Sequence, residues 1–260
     1  MADYVYSPVG DAGTKGFRGY FKRTKGFWLS PWHDIPLFAD ESKKLYNINR
    51  LEIPRPKQVF KLSTIEEINP LKQVAKLNHD CPFNYGALPQ TWDDPEHISR
   101  RGDNEPIDVI EIGRDLIRGS VVPVKILGIL DLLDEDKTDW KLLAIAESDP
   151  LFHKFNRIND VEDHLPGLLQ RVKDFLKIIH PRLNETAFDG EFKDAEYANE
   201  IIADTHQSWR TLITRNPPPN GLKTVCREPG AAFVAKNEHW HSTVMNRTHI
   251  TKRGNSPDFE

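Results

Sequence analysis

Residues 102–113 gather three carboxylates, Asp103, Glu105 and Asp108, within six positions, with Pro106 among them and the apolar residues Val109, Ile110 and Ile112 behind them. Carboxylates this close repel one another unless they share cations, and hard divalent ions with oxygen ligands, Mg²⁺ above all, answer that need. A proline between acidic residues argues against a regular helix and for a kinked loop entering a strand. The bland alternative is a solvated acidic turn. A second acidic run, Asp131 followed by Asp134, Glu135, Asp136 and Asp139, lies between the apolar runs 121–130 and 142–146. A hairpin or loop joining those runs would swing Asp134 and Asp139 towards the first cluster. Carboxylates converging in this way, with Lys141 and Arg55 as anion partners, would make a multi-metal phosphate site. Two metals about 4 Å apart that clamp a phosphoryl group and ionise a water are a standard route to phosphate hydrolysis.

The elements that would hold such a site change character along the chain. Short β-like runs occupy the first 150 residues: 17–22, 44–53, 58–62, 109–113, 121–133 and 141–146. Pro, Gly, Asn and Asp punctuate them, the pattern of an all-β barrel or sandwich. After Asp149-Pro150 the period lengthens. Leu165, Leu168, Leu169, Val172, Phe175, Leu176 and Ile179 predict an amphipathic helix over 163–179, with Pro166 tolerated in its first turn. A second helix over 194–213 follows from Tyr197, Ile201, Ile202, His206, Trp209, Leu212 and Ile213. His206 and Trp209, one turn apart, read as packing rather than catalysis. Pro217, Pro218 and Pro219 close the helical part, and the domain is expected to span 1–215. Residues 216–260 read as a Pro-rich linker and a mobile tail, its His239, His241 and His249 set among polar residues and not as metal ligands.

Composition narrows the class. At 260 residues and net charge −4, the chain is long enough for one large domain or two small ones, and it has no basic run to suggest nucleic acid. Its start, Met1-Ala2-Asp3-Tyr4, carries no apolar signal core, and no apolar run is long enough for a membrane span. The two cysteines, Cys81 and Cys226, lack metal-ligand spacing and read as reduced thiols. The expectation is a cytoplasmic protein with no membrane partner.

Ordered landmarks then carry a resemblance. They are Trp32-His33-Asp34-Ile35-Pro36, Glu52-Ile53-Pro54-Arg55, Asn84-Tyr85-Gly86 through Trp92-Asp93-Asp94-Pro95, the acidic motif at 103–109, Asp134-Glu135 with Thr138-Asp139-Trp140-Lys141, Pro166-Gly167, and Thr205-His206-Gln207-Ser208-Trp209. In this order the chain resembles the soluble inorganic pyrophosphatases of the first family, in their eukaryotic form. The resemblance implies a compact β-barrel of the OB-like pyrophosphatase type with two packed α-helices and a site in the barrel mouth. It implies Mg²⁺-dependent hydrolysis of pyrophosphate, with Mn²⁺ as the other candidate ion, and leaves room for a homodimer. By motif, Asp103, Asp108 and Asp139 fall on the principal metal ligands and Asp134 on a further one. Lys141 and Tyr85 match catalytic phosphate ligands. Glu52 and Arg55 match the edge of the site, Arg55 as a substrate ligand, with a surface ion pair as the plain alternative.

The departures from the family pattern are several. Active members carry Asp at the middle acidic position, where it helps deprotonate the attacking water; here it is Glu105, one methylene longer. A displacement of about 1 Å at a reacting centre costs on the order of a hundredfold. The family's phosphate lysine falls near Val59, and a metal-supporting carboxylate becomes Lys61. A phosphate-binding arginine is missing from the shortened stretch 71–83, where Lys72 and Lys76 are the only cations; lysine does not reproduce the bidentate fork. A later Tyr-Lys pair matches Ile179-His180, and an acidic position reads Lys137. Each lost anion contact is worth about 2.7–4 kcal/mol in electrostatic sites of this kind. The expectation is therefore slowed pyrophosphate hydrolysis. Its alternatives are a phosphatase retuned to another phosphate compound, or a degenerate paralogue with an interaction or regulatory role.

Overall fold

The computed structural model describes residues 4–9, 18–24, 26–50, 83–97, 101–134, 137–180, 187 and 190–234. A small antiparallel sheet comes first, built from β1 (Tyr4–Val9), β2 (Arg18–Arg23) and β3 (Trp28–Leu29). The larger sheet uses β4 (Phe38–Asp40), β5 (Leu45–Arg50), β6 (Asn84–Ala87), β7 (Asp108–Glu111), β8 (Val121–Asp134), β9 (Lys137–Ala146) and β10 (Lys193–Asp194). Its order is β10-β8-β9-β7-β6-β5-β4, and β5 also pairs with β8. That extra pairing closes β5, β6, β7, β9 and β8 into a ring, so the expected barrel is present.

β8 can serve three partners because it is long and bends. Its register against β9 shifts between Ile126 and Gly128, and a Cβ at Gly128 would stand 2.4 Å from the carbonyl of Lys193 on β10. Glycine is what lets β10 approach that closely. The strand expected from Lys141 in fact begins at Lys137, so Asp139 lies within β9 rather than in a loop before it.

Three helices follow: α1 (Ile158–His164), α2 (Leu168–Ile179) and α3 (Ala195–Thr214). The helix expected over 163–179 is divided. His164 ends α1, and Gly167, with φ 78°, caps the start of α2. Pro166 sits in the turn between them; inside a helix continuous from Ile158 its ring would oppose the carbonyl four residues back. α3 runs as expected from its N-cap, Asp194, whose side chain accepts from the Tyr197 amide at 2.9 Å.

Alternation along the barrel strands splits the core in two. Leu142 and Ala144 pack with Val109, Val124 and the Ala198, Ile201 and Ile202 face of α3. Leu143 and Ile145 pack with Ile110, Leu130 and the Val172, Phe175 and Leu176 face of α2. Successive strand residues face opposite ways, so one sheet buries both sides.

Residues 216–234, read above as linker, lie against the body. Cys226 is fully buried as a free thiol beside Trp32, Trp92 and Trp209. The Lys223 carbonyl is 3.0 Å from His33 Nε2, and the Arg227 amide donates to Asp34 Oδ1 at 2.5 Å. His239, His241 and His249 fall outside the described residues, as do Cys81 and the run expected over 58–62. No described helix is long and apolar enough to cross a membrane.

Candidate active site

The site is set by strand register. Asp108 opens β7 directly opposite Lys141 of the parallel neighbour β9 and opposite Ala87 of the antiparallel neighbour β6. Two-residue periodicity puts Asp139 on the same face as Lys141, and Tyr85 on the same face as Ala87. Three adjacent strands thus present Tyr85, Asp108, Asp139 and Lys141 to one another.

The side chains close on that arrangement. Lys141 Nζ donates to Asp108 Oδ2 at 2.6 Å and to Asp139 Oδ1 at 2.5 Å. Tyr85 Oη donates to the same Asp108 Oδ2 at 2.5 Å. The Lys141 side chain is 1% exposed, against 22% for Asp108 and 14% for Asp139. The ammonium therefore lies beneath two carboxylates that still reach solvent. Burial opposes the charge on Lys141, but Asp108 and Asp139 outweigh it and hold the ammonium well above its usual pKa. Burial first, and then the Asp108 carboxylate, push the Tyr85 phenol well above its own. Lys141 stays charged and Tyr85 stays a donor.

The rest of the mouth comes from a loop and a helix end. In the acidic loop, Asp103 Oδ1 accepts from the Glu105 amide at 2.9 Å; Asp103 is half-buried and Glu105 exposed. Asn104 between them has φ 72°. His180, the C-cap of α2, brings Nε2 to 4.0 Å from Asp139 Oδ2. Sequence reasoning counted His180 only as a lost lysine; its place after a long apolar helix was the available signal that it returns to the barrel. Asp134 ends β8 opposite Lys137, and only its backbone is described. Glu52, Arg55, Val59, Lys61, Lys72 and Lys76 lie outside the described residues. His206 and Trp209 pack as expected: their rings stack at 5.2 Å, and His206 Nδ1 is 2.7 Å from the Gln90 carbonyl.

Among the described residues, no three His, Cys, Asp or Glu side chains are gathered into a metal cage. Asp108 and Asp139 instead converge on one cation, the ammonium of Lys141. Their donor chemistry, carboxylate oxygen from two strands that already share a positive charge, suits a hard divalent ion.

The chain matches the family model described as inorganic pyrophosphatase over residues 50–210. It is 44% identical over 257 residues to "Inorganic pyrophosphatase 1" of Caenorhabditis elegans, covering 90% of this chain and 59% of that protein. It therefore spans less than two thirds of the nematode protein's length. It is 42% identical to the inorganic pyrophosphatase of Drosophila melanogaster, covering 86% of this chain and 72% of the fly protein. The solved inorganic pyrophosphatase of Schistosoma japonicum superposes with a TM-score of 0.72 at 36% identity, covering 87% of each chain.

Proposed function

The chain belongs to the inorganic pyrophosphatase family, and we propose that it hydrolyses pyrophosphate to two phosphates with Mg²⁺, using the cluster built on Asp108. The observation that carries the reading is the meeting of two carboxylates, one buried ammonium and one phenol on a single face of three strands. Those are the groups that a metal-borne phosphate requires.

In this reading Asp103, Asp108 and Asp139 would hold the principal ion, with Asp134 beside them and Mn²⁺ as a substitute ion. A bound cation of this kind would acidify a water and neutralise phosphoryl oxygens. Glu105, exposed at the edge of the loop, takes a proton from the attacking water at a carboxylate oxygen. Water oxygen bonds to one phosphorus, the bridging P–O bond breaks, and the second phosphate leaves with its electron pair. Lys141 Nζ and Tyr85 Oη turn from Asp108 towards phosphate oxygens; the charge held on the first and the proton held on the second suit them to that role. Arg55 adds a further anion contact. The longer arm of Glu105 and the departures around Val59, Lys61 and 71–83 set turnover below that of a member with the full clamp. The pyrophosphatase domain is taken as 1–215, with residues 216–234 packed onto it through Cys226. The buried free thiol of Cys226 supports a cytoplasmic location.

The test is phosphate release from pyrophosphate with Mg²⁺, beside nucleoside triphosphates and polyphosphate. Pyrophosphate should be cleaved in preference to both. Preference for either competitor would show a retuned phosphatase instead.

A further inference from the structure

We propose that Trp92 and Asn104 are positioning residues, which together fix the backbone that carries Asp103 and Glu105. The inference rests on the pyrophosphatase reading and goes beyond its ligand set.

The indole of Trp92 is buried at 1% exposure among Trp32, Trp209, Leu212 and Ile213, with the Arg215 guanidinium 5.3 Å from its ring centroid. A buried indole N–H needs an acceptor. It finds Asn104 Oδ1 at 3.1 Å, twelve residues along the chain. Asn104 has a need of its own. Its φ of 72° is left-handed, a conformation that asparagine tolerates better than most side chains but that persists only when its surroundings hold it. One hydrogen bond answers both needs.

The backbone of the loop is fastened to the same anvil. The Asn104 amide donates to the Asp93 carbonyl at 3.0 Å, and the Asp93 amide donates to the Glu105 carbonyl at 2.9 Å. The Gly102 amide donates to the Asp94 carbonyl at 3.0 Å, and a Cβ at Gly102 would meet the Asp93 carbonyl at 2.3 Å. The anvil is itself anchored, through the Trp92 amide on the Thr205 carbonyl of α3 at 3.0 Å. Within the loop the Asp103 carboxylate holds the Glu105 amide. The handedness at Asn104 therefore sets where the Asp103 carboxylate stands relative to the root of the Glu105 side chain.

The test uses the full chain with Trp92→Phe, Asn104→Gly and the double variant. Glycine removes the acceptor without straining the left-handed backbone, and phenylalanine keeps the ring without its N–H. Three readouts are taken: kcat and KM for pyrophosphate, calorimetric Mg²⁺ affinity without substrate, and the melting temperature of the metal-free protein. Each single variant should lower kcat about fivefold or more, as expected for loss of one hydrogen bond. KM should stay within about twofold and Mg²⁺ affinity should fall, and the double variant should be no worse than the poorer single, because one interaction is lost in all three. Unchanged kcat and Mg²⁺ affinity in Asn104→Gly would overturn the proposal, as would additive losses that track melting temperature alone. If Trp92→Phe does not fold, Asn104→Gly alone decides. If the wild type releases no phosphate, the pyrophosphatase reading fails while the Mg²⁺ titrations still decide on positioning.

Discussion

Lys141 stands directly opposite Asp108 in the parallel β7–β9 register, and its ammonium, 2.6 Å from Asp108 Oδ2, is the cation that the two site carboxylates share. Replacing it with a neutral side chain of similar length leaves Asp108 and Asp139 without the ammonium they share. Lys141→Met should cost about 3 kcal/mol of stability, the usual scale for breaking a buried pair. Added Mg²⁺ should stabilise the variant more than the wild type, because the vacated charge is then supplied by the metal. Denaturant melts with and without Mg²⁺ read both effects; an equal Mg²⁺ response in the two proteins would separate the carboxylates from metal binding.

Glu105 gives a prediction of opposite sign. If it is the general base on too long an arm, Glu105→Asp should raise turnover and Glu105→Gln should abolish most of it. The comparison is of kcat at saturating Mg²⁺. A loss in both variants would mean that the surrounding residues have adjusted to the longer side chain.

Acid stability should be governed in part by His33. Its Nδ1 accepts from the Trp209 indole N–H at 2.9 Å, and its Nε2 faces the Lys223 carbonyl at 3.0 Å, so the ring is neutral with its proton on Nε2. A second proton would set N–H against N–H. Burial lowers its pKa from 6.5 to about 4, against a smaller raising effect of the Lys223 carbonyl. The unfolded chain then binds more protons than the native one between those values. Stability contributed by the neutral ring is complete above pH 6.5 and falls as pH drops towards 4, by roughly 3 kcal/mol. Asp34 and Glu111, both raised by burial, act in the opposite sense as pH falls. His33→Gln keeps a donor and an acceptor without the titration, so its stability should depend less on pH over this range.

Much of this architecture could be read from periodicity, and its limits have physical causes. β8 was legible because its interior is apolar on both faces, as a barrel strand between two core layers must be. The start of β9 was hidden because Lys137, Asp139 and Lys141 alternate with Thr138 and Trp140, and the polar set looked like a loop. Those residues are polar because they face the site. The break between α1 and α2 was written in Pro166-Gly167 but masked by leucines that keep helical spacing across it. Asp108, Asp139 and Lys141 were identifiable as chemistry-bearing residues from their types. Their meeting depends on a parallel pairing between strands far apart in sequence, which no local pattern encodes. The Trp92–Asn104 contact is invisible for the same reason, although an asparagine between two acidic residues in a turn was a cue to left-handed backbone.

The most direct test of the account is phosphate release from pyrophosphate by the purified chain over a Mg²⁺ titration, beside Asp108→Asn. The account predicts Mg²⁺-dependent release by the wild type. Asp108→Asn, which weakens a shared metal and phosphate-ligand position at once, should be slower by at least about tenfold, with weaker Mg²⁺ dependence. A folded wild type that releases no phosphate at any Mg²⁺ concentration, or a variant as active as the wild type, would contradict it.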